Sequence, residues 1–168
     1  MTERATFDDV TLRTLTSDDR ARVLDLVAEA VGGTMYRESP MHFLRLALSG
    51  RSADESRGIV AVRDDRVVGC ALYGAVAGAL GTGRIHFVAV APDARRLGIG
   101  TRMCEAAVSQ LTAGGARSVI VEMPDDRAVA EGHQLLASSA FVEVARVPDY
   151  YRDGVALIVL NRAEETSH

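Results

Sequence analysis

Residues 88–101 read Val-Ala-Val-Ala-Pro-Asp-Ala-Arg-Arg-Leu-Gly-Ile-Gly-Thr. An alternating apolar run stops at Pro92, two arginines follow, and Gly98 and Gly100 open a segment whose spacing predicts a helix. Glycine lets a ligand approach the backbone closely and takes dihedral angles that other residues resist. The first-turn N–H groups of a helix are unclaimed, and with the dipole behind them they form an anion site. Arg95 or Arg96 can add a charge-assisted contact, and Thr101 a hydroxyl. The segment therefore reads as a cradle for a phosphate or pyrophosphate. All 19 basic residues of the 168 are arginine. That excludes a Schiff-base lysine, a lysine general base and a Walker-type phosphate site. A dinucleotide fingerprint fits poorly, because Met103 stands at the third glycine position and the motif lies past mid-chain. A dinucleotide-binding domain is the weaker alternative.

Two residues nearby could move protons. Glu122 ends an otherwise apolar strand, Val119-Ile-Val-Glu-Met. Burial beside Val121 and Met123 would raise its pKa toward neutrality, as a general base requires. His86 lies two residues before Val88, on the face expected to carry Val88 and Val90, and could act through a water. Neither the four histidines nor Cys70 and Cys104 show a metal-ligand spacing, so no metal is expected. Both cysteines stand among apolar neighbours and read as buried free thiols.

These groups need elements to hold them. Thr11–Thr16 alternates as a strand, and Ser17 with Asp18 and Asp19 starts a helix through Val31. Ser39-Pro40 starts a second helix, which Gly50 stops. Strands follow at 59–62, 67–76 and 84–90, with Asp64-Asp65 as a hairpin turn. A helix spans 98–113, a strand 117–123, a helix 127–139, and strands 141–147 and 155–161 end the pattern. The order β-α-α-β-β-β-α-β-α-β-β describes one α/β (α+β) domain over residues 1–168, with frayed tails at 1–9 and 163–168.

Composition narrows the class further. Apolar residues make up 48% of the chain and the formal charge is -4. A mildly acidic chain without a basic block is no nucleic-acid platform. No apolar run reaches the ~18 residues of a membrane span, and the polar start is no signal peptide, so a cytoplasmic protein is expected.

The Arg-x-x-Gly-x-Gly pattern between this strand and this helix resembles the acetyl-CoA-binding motif of the GCN5-related N-acetyltransferases (GNAT). Val-x-Val-x-Pro before the motif, Ala140-Phe141 where the family has Gly-Phe, and Tyr150-Tyr151 with Asp153-Gly154 before the last strand extend the likeness over nearly the whole chain. The resemblance implies a mixed, mostly antiparallel seven-stranded sheet with helices on both faces. It implies acetyl-CoA as co-substrate and transfer of acetyl to a primary amine by direct attack in a ternary complex. Val88, Ala89 and Val90 would pair with the pantetheine arm. The N–H groups of Arg96, Leu97, Gly98, Ile99, Gly100 and Thr101 would hold the pyrophosphate, with Arg95 at the motif's first position.

Members that acetylate ribosomal-protein N-termini carry Leu-Glu-Val and use that glutamate as base, which points to Glu122. Leu136 stands where the family has its tyrosine acid; Ser138 or His133 could substitute, Tyr150 or Tyr151 could approach from the side of the last two strands, or the thiolate could leave without an acid. An acyl-CoA-binding protein without transfer activity is the alternative that this departure suggests. The acceptor, a small-molecule or peptide amine, would sit among Met35, Tyr36, Met41 and Phe43, with Glu38, Asp149 and Asp153 able to attract a cation. A homodimer is the assembly implied by the family.

Overall fold

A computed structural model describes residues 9–51 and 56–163. The tails expected to fray lie outside that range, except Asp9 and Ala163. Ala163 is no loose end, because it pairs with Ser118 in the sheet.

Seven strands form one sheet: β1 (Val10–Thr14), β2 (Arg57–Arg63), β3 (Arg66–Ala75), β4 (Thr82–Val90), β5 (Ser118–Pro124), β6 (Val142–Arg152) and β7 (Val155–Ala163). Their spatial order is β1-β2-β3-β4-β5-β7-β6, and only β4 and β5 run parallel. A single parallel pair cannot supply the successive parallel βαβ units of a dinucleotide fold. The β2–β3 hairpin turns on Asp64 and Asp65, with φ of 50° and 59°. Two consecutive left-handed residues make the turn whose twist suits a hairpin, as the Asp-Asp pair predicted.

Four helices pack on the sheet: α1 (Arg20–Val31), α2 (Glu38–Ser49), α3 (Ile99–Ala113) and α4 (Ala130–Ser138). Met103, Cys104, Ala107, Val108 and Leu111 of α3 are buried, as the helical spacing predicted. Two glycines, Gly69 on β3 and Gly83 on β4, make room for this helix. A Cβ at Gly69 would lie 2.7 Å from Met103 Cε, and one at Gly83 would lie 2.9 Å from Leu111.

The helix starts differ from expectation. A short 3-10 turn, Ser17–Asp19, precedes α1, so Thr16 rather than Ser17 is the cap. Thr16 N–H donates to Asp19 Oδ2 at 2.9 Å, while Arg13 grips both Asp19 oxygens at 2.8 Å. Likewise a turn at Met35–Arg37, capped by Thr34 Oγ1, feeds into α2, and Ser39-Pro40 fall inside the helix. A 3-10 turn can carry the chain into a helix smoothly, so the sequence signal of one N-cap marks the start late.

Strand β6 runs along the open edge of the sheet with Val142, Val144 and Val147 exposed. No helix among the described residues is long and apolar enough to cross a membrane.

Candidate active site

The parallel pair opens a gap in the sheet. Strands β4 and β5 are joined only by Thr82–Ser118, Gly83–Val119 and Arg84–Ile120. Beyond Arg84 each strand is paired on its far side alone, β4 to β3 and β5 to β7. A register shift between Leu72 and Tyr73 leaves His86 as the extra residue of a β-bulge in β4. A bulge bends its strand and strengthens the local twist, which suits a strand turning away from its neighbour.

The bulge also resets which residues share a face. Val90 pairs with Gly69, whose open side meets Met103 of α3. His86 instead stacks on Phe43 of α2, ring centroids 3.6 Å apart and planes within 2°. His86 and Val90 therefore do not share a face, and the simple alternation read from the sequence fails at the bulge.

Backbone donors facing the gap can be assigned by alternation. Ala91 N–H donates to Val68 O at 2.7 Å. In an antiparallel ladder that makes Ala89–Cys70 the next bonded pair, and turns the N–H and C=O of Val88 and Val90 away from β3. The expected trio divides accordingly: Val88 and Val90 offer groups to the gap, and Ala89 bonds within the sheet. Arg95 Nε donates to Val90 O at 3.2 Å, which leaves the Val90 N–H as its offering.

At the end of β4 the chain turns through Pro92–Ala94 and enters α3. Arg96 and Gly98 adopt left-handed φ of 62° and 72°. A left-handed arginine costs on the order of 1 kcal/mol, so tertiary structure must hold it there. The first helical bond runs from Arg102 N–H to Gly98 O, so the helix itself leaves the N–H groups of Ile99, Gly100 and Thr101 unclaimed. An open cleft here is lined by Gly98, Thr101, Arg102 and Glu105. Arg95, expected to hold an anion, instead reaches Glu131 at 2.6 Å besides Val90 O. Arg96 is exposed, and no side-chain hydrogen bond or ion pair engages it among the described residues. Gly100 serves packing, because a Cβ there would meet the Leu135 methyls of α4 at 3.0 Å.

Glu122 stands on β5 just beyond the last rung that joins it to β4. Its carboxylate is not buried: it is 39% exposed and ion-paired with Arg84 at 3.0 Å. The expected burial between Val121 and Met123 fails because side chains alternate along a strand, and those two neighbours face the other way. Tyr151 is half-buried between Tyr150 and Tyr36, with edge-to-face ring contacts at 5.0 and 5.4 Å. Burial pushes its hydroxyl pKa up, and Tyr150, the Glu122 carboxylate and Tyr36 add to the shift.

A family model for the acetyltransferase (GNAT) family matches residues 24–131. The chain belongs to the GNAT family. It is an acetyltransferase, and acetyl-CoA is its co-substrate. No curated protein matches it in sequence. Several solved structures share its fold. One is assigned to the GNAT family from Desulfovibrio desulfuricans, with 23% identity, TM-score 0.80, and 92% of this chain and 98% of that one covered. A ribosomal-protein-alanine N-acetyltransferase from Brucella melitensis has 21% identity, TM-score 0.72 and coverage of 92% and 99%. A GNAT acetyltransferase from Elizabethkingia anophelis, with acetyl-CoA bound, has 14% identity, TM-score 0.72 and coverage of 94% and 99%.

The geometry fits a GNAT co-substrate: unclaimed first-turn N–H groups, a left-handed Gly98, and a strand edge whose Val88 and Val90 groups face a gap. The GNAT tyrosine position is another matter. Leu136 is buried in the core, so α4 supplies no proton donor there. Ser138 Oγ is exposed and donates to Gln134 O, and His133 Nε2 lies 2.8 Å from Pro124 O.

Beside Tyr151 lies a second pocket, lined by Gly33, Thr34, Met35, Tyr36, Asp126, Ala128 and Arg152. Met35 and Tyr36 were expected at the acceptor site; Phe43 packs on His86 instead. The carboxylates expected to face a cation do other work. Glu38 pairs with Arg37, and Asp149 Oδ1 accepts from Gly154 N–H to close the β6–β7 turn. Asp153 does not line this pocket. Asp126 is the pocket's carboxylate, and the sequence reading passed over it. Its signal was the Asp-x-Ala start of the α4 region, since Asp126 Oδ1 caps the Ala128 N–H at 2.9 Å.

Proposed function

We propose that this GNAT chain transfers an acetyl group to a primary amine by direct attack in a ternary complex. The observation that carries the reading is the gap where β4 and β5 part beside the unclaimed N–H groups of α3, with Glu122 on β5 just past the last rung. Acetyl-CoA supplies a thioester carbonyl and a thiol leaving group. Arg96 and the N–H groups of Leu97, Gly98, Ile99, Gly100 and Thr101 would hold its pyrophosphate. The Val88 N–H and C=O and the Val90 N–H would take the place of the missing ladder and aim a donor at the carbonyl oxygen. Donors aimed in advance are the usual main source of acyl-transfer catalysis.

The amine must lose its proton to attack, since a free alkylamine has a pKa of ~10. Glu122, exposed at the gap, is the assigned base, acting directly or through one water. As the N–C bond forms and the C–S bond breaks, the amine proton passes to Glu122 and the sulfur takes a proton from Tyr151. His86, stacked on Phe43, is assigned to hold the bulge that turns β4 away from β5.

The test is release of CoA thiol across a panel of amines, with the acetylated product identified by mass spectrometry. Glu122→Gln should lower kcat by about a hundredfold or more. Unchanged turnover would remove Glu122 as the base. Absence of acetylated amine across the whole panel would overturn the amine reading.

A further inference from the structure

The pocket beside Tyr151 shows which of its polar groups are already spent. Asp126 Oδ1 accepts from Ala128 N–H at 2.9 Å, and Oδ2 accepts from Tyr36 Oη at 2.6 Å and Arg152 Nη2 at 2.7 Å. Asp126 is 13% exposed and carries three hydrogen bonds, so it has little left to give an incoming cation. The Tyr36 hydroxyl is used on Asp126. Thr34 Oγ1 donates to Val31 O and accepts from Tyr36 N–H. Arg152 differs, with a side chain 57% exposed. Of its five N–H donors, one is committed to Asp126. The Tyr36 hydroxyl also lies beside the guanidinium, and the remaining donors are open to an incoming group.

We propose that Arg152 is the specificity residue of the acceptor site, and that it selects an amine carrying a carboxylate. A guanidinium presents its donors as a planar fork that matches a carboxylate two-to-two. Asp126, caught between Tyr36 and Ala128, fixes the orientation of that fork. The remaining walls, Met35 and the ring of Tyr36, are apolar and would take the body of the molecule. Tyr36 meets Tyr151 edge-on at 5.4 Å, and Tyr151 in turn feels the charge of Glu122. The acceptor's two ends then read as carboxylate on Arg152 and amine toward Glu122, the arrangement of a small amino acid. This inference rests on the acetyltransferase reading above.

Two measurements separate the inference from that reading. The first is CoA release with α-amino acids, their α-carboxamides, spermidine, and a peptide with an acidic second residue and an amidated C-terminus. The acids should exceed their carboxamides in kcat/KM by about tenfold or more, the worth of a charge-assisted hydrogen bond. In Arg152→Gln that ratio should collapse toward one, and Arg152→Lys should restore part of it. A purely structural role would slow acid and carboxamide alike and would raise the acetyl-CoA KM as well.

The second measurement is calorimetric binding of the same acids and carboxamides to the protein saturated with CoA, which needs no turnover. Tighter binding of the acids, lost in Arg152→Gln, supports the pocket even if no acetyl reaches these amines, and the amine-transfer reading alone then fails. Equal binding of acid and carboxamide, a preference for spermidine, or a selectivity that survives Arg152→Gln overturns the proposal. Preference for the amidated acidic peptide over the free acids would overturn the small-acceptor form of it.

Discussion

Tyr151 is the residue whose surroundings bear most directly on the proposed proton donor. It belongs to the β6–β7 hairpin, and its ring is wedged between those of Tyr36 and Tyr150. Burial, then Tyr150 and the carboxylate of Glu122, push its hydroxyl above the ordinary tyrosine value of ~10. A hydroxyl so held stays protonated at neutral pH and can give a proton to sulfur. Tyr151→Phe should lower kcat by about a hundredfold with little change in the acetyl-CoA KM. The alkaline limb of the wild-type profile should lie above pH ~10. Steady-state kinetics over pH decides this, and a Phe variant as fast as wild type would end the assignment. The readout is clean because both cysteines are buried thiols. Burial pushes Cys70 up to about 12 and Cys104 up to about 11, so a thiol reagent at neutral pH reports released CoA.

Among the elements, the start of α1 shows how an ionised side chain can hold a junction. Asp19 joins β1, through Arg13, to the turn that leads into the helix. The Arg13 hydrogen bonds lower its pKa from 3.8 to about 2. A depressed carboxylate stabilises the fold at any pH above its unfolded value, and the contribution fades as pH falls toward about 2. With Asp19 only 6% exposed, the shift is worth about 2 kcal/mol. Asp19→Asn should lose about that much in urea unfolding at pH 7. It should also flatten the wild-type decline in stability between pH ~4 and ~2. An unchanged midpoint at pH 7 would show that Arg13 and Thr16 find equal partners elsewhere.

The same scale explains what could be read in the sequence. Strand and helix order, the Asp64-Asp65 turn and the buried face of α3 were legible, because periodicity and turn chemistry act locally. The exposure of Glu122 was within reach of strand alternation, but the bulge at His86 and the capture of Arg95 by Glu131 were not. Each depends on which strand pairs with which, or on a partner far along the chain. Asp126 stood in between: its capping role is local and readable, but its union with Tyr36 and Arg152 spans 90 and 26 residues.

Over the whole molecule, the sheet divides into two blocks, β1–β4 and β5–β7–β6, joined by three residue pairs. Amide hydrogen exchange should show this directly. Without ligand, the Val88 and Val90 amides should exchange much faster than that of Ala89, which is bonded to β3. Acetyl-CoA should slow exchange at Val88, Val90 and residues 96–101, and leave the β2–β3 hairpin unchanged. Uniform protection along β4 in the free protein would refute the backbone assignment.

Three rungs are a thin seam for a sheet of this size. Whatever bridges the rest of the gap becomes part of the tertiary structure, and its concentration becomes a variable of stability. At a hundredfold excess over Kd, a ligand that binds only the folded state adds about 2.7 kcal/mol. Resistance to proteolysis should therefore rise and fall with the supply of acetyl donor, so that scarcity of the co-substrate would shorten the lifetime of the chain.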